Sequence, residues 1–183
     1  YNLYLKNHNS IGRKSNTKSS PDIEVVSLFE ANSSWPLLKK ETNYNNYLTP
    51  RISFRFNPSD MEDNSSESRN VGAGTVFSAN RLGLGDTYEA GRSLTLGVSF
   101  KKEELDLEKE TEDTENEKIE DMEDINKFFE VKLATVFRDK EEKFIPTNST
   151  LHRKTSNIFG SVENKLYDNL NFSYKFSLDN DLN

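Results

Sequence analysis

Apolar and polar residues alternate with a period of two over much of this chain. In 170–178 the even positions are Leu170, Phe172, Tyr174, Phe176 and Leu178; the odd ones are Asn171, Ser173, Lys175 and Ser177. In 47–56, Leu48, Pro50, Ile52, Phe54 and Phe56 alternate with Thr49, Arg51, Ser53 and Arg55. In 93–100, Leu94, Leu96, Val98 and Phe100 alternate with Ser93, Thr95, Gly97 and Ser99. In 128–138, Phe129, Val131, Leu133 and Phe137 alternate with Glu130, Lys132, Ala134 and Arg138. A weaker case is 157–166, with Ile158, Gly160, Val162 and Leu166 on one side and Glu163 and Lys165 on the other. Period two is the signature of a strand with one apolar face. Residues 22–34 read as a strand with a fault, because Ile23 and Val25 face one way and Val26 and Leu28 the other. Residues 1–6, with Tyr1, Leu3 and Leu5 in phase, read as the end of another strand. The count is about seven strands, several of them roughly 9–11 residues long, the length of a tilted strand crossing a bilayer. Phe, Val, Ile, Thr and Ser dominate them, and no i, i+3, i+4 spacing supports a helix.

The connections differ in kind. Tyr167-Asp168-Asn169 reads as a tight hairpin turn. The stretches 7–21, 58–87 and 139–156 are long and rich in Asn, Ser, Gly and charge, which is unusual in a compact soluble domain and ordinary for the outer loops of a barrel. Residues 101–127 open with Lys101 and Lys102 and continue as a run of Glu and Asp, read as a solvated, disordered insert. It lacks the regularly spaced Asp/Asn ligands and the Gly of a calcium loop.

Composition narrows the function. A mean hydropathy of −0.83 does not exclude a barrel, whose strands are polar at every second position. No apolar run approaches the roughly 20 residues of a membrane helix. The net charge of −7 disfavours nucleic acid. There is no Cys, so no disulfide or thiolate site, and His8 and His152 both lie in polar stretches that read as loops. No serine sits in a nucleophile elbow, and Gly83-Leu84-Gly85 lacks the strand–helix setting of a phosphate loop. The expectation is therefore no enzyme and no metal. The chain opens on Tyr1 with no apolar leader, so it is read as cytosolic or as starting partway through a longer chain; the barrel pattern favours the second.

Particular residues then suggest a family. Ser34-Trp35-Pro36-Leu37 precedes Leu48-Thr49-Pro50-Arg51, and Phe77-Ser78-Ala79-Asn80-Arg81 leads through Asp86 and Glu89 to Gly91. This succession resembles the C-terminal barrel of the lipopolysaccharide-assembly outer-membrane family LptD, also called organic solvent tolerance protein. The stretch from Val136-Phe137-Arg138 through Ser156-Asn157-Ile158-Phe159-Gly160 to Tyr174–Asp179 is similar to the family's following strands. The chain departs from the pattern at Leu84, where the family places a Gly two residues before the Asp, and in the acidic insert. The resemblance implies an all-β, antiparallel transmembrane barrel in the Gram-negative cell outer membrane, of which 1–183 is one part. It also implies an upstream periplasmic domain that receives lipopolysaccharide from a periplasmic bridge component, an LptE-like lipoprotein plug, and insertion of lipopolysaccharide into the outer leaflet. It implies no cofactor.

In such a barrel Arg51, Arg55, Glu130, Lys132, Glu163, Lys165 and Lys175 would line the lumen and meet substrate or plug, or simply water. Pro50, Arg51, Asn80, Arg81, Asp86, Glu89 and Gly91 carry the family motif; Asn80, Arg81 and Asp86 are expected in a folded-in, hydrogen-bonded loop rather than in direct contact with substrate. Parity puts the turns at 39–46 and 167–169 and the insert on the periplasmic side, and 7–21, 58–87 and 139–156 outside. Two alternatives stay open: another outer-membrane barrel such as a porin or receptor, and a soluble β-sandwich binding module whose apolar faces would pack on a second sheet.

Overall fold

A computed structural model describes residues 2–13 as backbone, and 23–84, 87–105, 127–167 and 170–180, with side chains from Val26 onward. The described residues form one antiparallel sheet. Its strands are β1 (Asn2–Arg13), β2 (Ile23–Ser34), β3 (Leu37–Lys40), β4 (Tyr44–Asn57), β5 (Gly91–Glu104), β6 (Phe128–Arg138), β7 (Ile158–Tyr167) and β8 (Leu170–Leu178). They lie in the order β1-β2-β4-β5-β6-β7-β8, with β3 also paired to β4. β3 continues β2: Ser34 faces Arg51 and Leu37 faces Leu48, so no residue is gained or lost between them. Only Trp35-Pro36 interrupts the ladder, because Pro36 has no N–H to give; Trp35 N donates to Pro50 O at 3.0 Å. The sheet thus has seven wall strands, as the alternation predicts, and it is all-β and open at both edges.

The structure departs from the sequence reading in several places; β3 (Leu37–Lys40) and the start of β4 at Tyr44 also shorten the expected 39–46 turn. β1 runs on to Arg13, through Asn7, His8, Asn9 and Ser10, whose composition reads as loop. Ladder bonds come from the backbone, so a neighbouring strand can extend pairing through residues of poor β propensity. β5 likewise runs to Glu104, four residues into the expected insert, where Glu104 N donates to Lys127 O at 2.8 Å; residues 106–126 lie outside the described residues. The fault in 22–34 is not a bulge. β1 and β2 pair without interruption from Asn2–Ser34 to Arg13–Ile23, and Val26 and Leu28 are simply apolar residues on the inner face, each 1% exposed.

Because register is continuous across neighbours, the apolar side chains fall into rows. Ala31, Phe54, Leu94 and Phe137 make one row; Ser33, Ile52, Leu96 and Thr135 the next. Then come Pro50, Val98, Leu133, Gly160 and Phe176, and then Leu37, Leu48, Phe100, Val131, Val162 and Tyr174. From the Phe29–Phe56 row to the Leu37 row is eight residues along β2 and β3, roughly 27 Å at ~3.4 Å per residue. At a barrel tilt of ~40° this projects to roughly 20 Å, close to the ~25 Å apolar band of outer-membrane barrels. Phe54, Leu96, Val98, Phe100, Leu133, Phe137, Phe172, Tyr174 and Leu178 on this face are each between 37% and 62% exposed. No second sheet, as the sandwich alternative would require, covers it among the described residues. Phe172, Tyr174, Phe176 and Leu178 share the face as predicted, with the Tyr174 and Phe176 rings stacked at 5.9 Å.

The core lies on the other face. Loop residues Met61, Val71, Ala73, Val76, Leu82, Leu84, Ala90, Ile145 and Leu151 pack on Ala134, Val136 and Phe159 of β6 and β7. The two long connections, 58–90 and 139–157, therefore fold inward over the sheet. The turn Glu41–Tyr44 and the strand ends flanking 106–126 and 168–169 sit at the opposite end. An open sheet with unpaired β1 and β8 edges and an uncovered apolar face is a poor monomer in water. Residues 1–183 produced alone in buffer are expected to aggregate, and a cooperative melt of a detergent-free monomer would refute this.

Candidate functional site

The inner face splits into two zones. Its loop-side half is covered and buried. β4 brings Asn57, Arg55 and Ser53 there, β5 brings Ser93 and Thr95, and β6 brings Arg138, Val136 and Ala134; all are buried. Charge on this half cannot be solvated, so it must be paired. Arg81, from loop 58–90, donates from Nε to both Glu89 carboxylate oxygens at 2.9 and 3.1 Å, and from its Nη atoms to Thr95 Oγ1 at 2.9 Å and Ser93 Oγ at 3.1 Å. Arg138 Nη1 lies 3.5 Å and Arg55 Nη1 3.9 Å from the same Glu89 carboxylate. Arg55 Nε also meets Glu30 of β2 at 3.1 Å. Arg55 donates to Ala79 O, and Arg138 to Ala90 O. One loop carboxylate thus ties β4, β6 and its own loop together, while Glu30 adds β2.

Burial alone would raise the Glu89 carboxyl, but the facing guanidiniums of Arg81, Arg55 and Arg138 outweigh it and hold the group down to about 2.

Neighbouring contacts seat the rest of the loop. Phe77 lies over Gly97 of β5, where an added Cβ would come within 2.8 Å of the ring, and the Arg51 guanidinium covers the ring at 4.1 Å. Asn80 closes a turn by donating to Leu84 O at 2.6 Å and accepting from Leu84 N at 3.0 Å, around Gly83 at φ +63°. Gly91 starts β5 at φ +82°, with Arg138 Nη2 3.3 Å from where a Cβ would stand.

The turn-side half is open. Lys132 pairs with Glu130 at 2.7 Å, Lys165 with Glu163 at 3.1 Å, and Lys101 with Glu103 at 3.0 Å. A cleft of about 660 Å³ runs between the Gly72–Thr75 turn and this wall, lined by Lys132, Glu163, Lys175, Ser161 and Ser173. Among the described residues no cluster of three His, Asp or Glu could hold a metal.

Six of the seven residues read as lumen-facing fall on this inner face by register, and Lys165, in the irregular part of β7, joins them through Glu163 and the Phe128 ring, but their settings differ. Arg55 is sealed in the ion cluster, Arg51 is a cover for Phe77, and Glu130, Lys132, Glu163, Lys165 and Lys175 line the open half. Of the motif residues, Arg81 and Glu89 meet in the cluster, Asn80 and Gly91 shape its loop, and Pro50 lies on the opposite, apolar face across from Val98. Asp86 lies outside the described residues. Sequence reasoning missed Glu30 and did not single out Arg138 as a site residue. A usable signal existed: both are charges at inner-phase positions on strands that end at long loops.

A search of curated proteins and a search of solved structures each found no match. The family described as "LptD: LPS transport system D" matches residues 1–183. Sheet, alternation and motif order agree with that match, and the chain belongs to the LptD family of outer-membrane lipopolysaccharide-transport proteins.

Proposed function

We propose that this chain forms one sector of the wall of an outer-membrane translocon that delivers lipopolysaccharide to the outer leaflet. The observation that carries this is the register: one face presents apolar rows of membrane height, the other a polar wall capped by in-folded loops. Every backbone group in lipid needs a partner, so the β1 and β8 edges require further strands to close a barrel. In this reading residues 1–183 belong to a single barrel domain. The open half, with Glu130, Lys132, Glu163, Lys165 and Lys175, faces the wet lumen, where sugar and phosphate groups of lipopolysaccharide or an LptE-like plug lipoprotein come into reach. Arg81, Glu89 and Arg55 act instead by positioning the loop. A periplasmic bridge component would load substrate through a domain outside this sequence.

Two readouts test the proposal in cells carrying the full-length protein. An epitope inserted at Ser66-Glu67, an exposed part of loop 58–90, should bind antibody on intact cells, whereas one within 106–126 should bind only after the outer membrane is opened. Labelling of the second on intact cells would reverse the sidedness. On depletion of the protein, newly made lipopolysaccharide should stop reaching the surface. Undiminished arrival would refute the transport role.

A further inference from the structure

On β3, β4 and β5 the apolar rows stop at the turn end of the sheet, and the positions beyond them are ordered by charge; the first of these rows turns apolar again at Phe129 of β6 and Phe172 of β8. Next to the Leu37–Leu48–Phe100 row stand Lys39, Asn46 and Lys102, paired across three adjacent strands. One step further from the belt stand Glu41, Tyr44 and Glu104, on the same outward face. Lys102 Nζ rests 4.0 Å over the Tyr44 ring, and Lys39 Nζ is 2.8 Å from Glu41. On these three strands, moving outward from hydrocarbon, the surface thus reads apolar, then two cations, then two anions.

We propose that this outward-facing step is a docking site for a zwitterionic phospholipid headgroup of the phosphoethanolamine type. Its acyl chains lie on Leu37, Leu48 and Phe100, its phosphate between Lys39 and Lys102 over Asn46, and its ammonium toward Glu41 and Glu104. The charge order is the argument: in such a lipid the phosphate is nearer the hydrocarbon and the amine outside it. Lys39 and Lys102 are two strands apart, roughly 10 Å, so one phosphate between them can be reached by both flexible ammonium groups. A purely anionic headgroup would meet the two carboxylates with like charge. The Lys39–Glu41 pair is open to solvent, with side chains 78% and 44% exposed, and such pairs are held weakly enough to rearrange around a ligand. The site rests on the barrel reading, and at the turn end it faces the leaflet on the side of the short turns.

The test uses the full-length protein, delipidated in mild detergent and offered equimolar phosphatidylethanolamine and phosphatidylglycerol, with bound lipid read by native mass spectrometry. Wild type should retain phosphatidylethanolamine in excess. Lys39→Gln with Lys102→Gln should lower that retention several-fold, while Glu41→Gln with Glu104→Gln should turn the preference toward phosphatidylglycerol. Equal uptake of both lipids, a wild-type preference for phosphatidylglycerol or lipopolysaccharide, or indifference to both pairs of substitutions would overturn the site. Oxidative footprinting in vesicles separates the two readings. If Leu48 and Phe100 are protected but no headgroup preference exists, the docking site fails and the barrel stands; if they are labelled as in detergent-free solution, the barrel reading itself fails.

Discussion

Glu89→Ala should destabilise the folded protein by about 3–5 kcal/mol, the usual cost of leaving buried partners of an ion cluster without their counter-charge. Three guanidiniums, Arg55, Arg81 and Arg138, converge on this one carboxylate, each with a side chain no more than 4% exposed. Glu89→Gln keeps the shape but removes the charge and should be nearly as harmful. Arg81→Met in a Glu89→Gln background should cost far less than the sum of the two single changes, because the two side chains share one interaction. The measurement is unfolding of the full-length protein by urea in lipid vesicles. A loss below about 1 kcal/mol for Glu89→Ala would show that water reaches the cluster. Acid should act in the same direction. The Glu89 carboxyl is held down to about 2 against an ordinary value of 4.5. A group depressed in this way contributes its full stabilisation above pH 4.5 and loses it as the pH falls toward 2. Wild type should therefore lose stability through that window more steeply than Glu89→Gln, and equal slopes would contradict the assignment.

Leu96→Arg should cost about 2–4 kcal/mol in a bilayer. Leu96 is 40% exposed in the isolated sheet and stands in the middle of the apolar rows, between the Phe29–Phe56 row and the Leu37–Leu48 row. Depth is the control. Tyr174 lies in the Leu37 row, near the turn end, so Tyr174→Arg should cost less, and an Arg at Phe172, beside the Lys39–Lys102 row, only about 0–1 kcal/mol. A soluble protein would show no such gradient, since arginine at a half-exposed position costs little in water. Equal costs at all three positions, read by the same vesicle unfolding, would remove the membrane assignment of this face.

The sequence by itself determined the strands, their faces and the family. A period of two survives in residue identity because each side chain on a half-buried sheet sees one environment only, so Leu94–Phe100 or Phe172–Leu178 declare their face without knowledge of any neighbour. The ordered motifs from Trp35 to Gly91 carried the family in the same local way. Tertiary structure decided what crosses between segments. That Glu89 gathers arginines from β4, β6 and its own loop, that Glu30 answers Arg55, and that Lys39 and Lys102 share a row all depend on register, which backbone hydrogen bonds fix between strands far apart in sequence. It also decided what loops 58–90 and 139–157 are buried against. Their Val76, Leu82, Ile145 and Leu151 have no periodicity to announce them, and the apolar Ala134, Val136 and Phe159 on the inner wall give them somewhere to be buried.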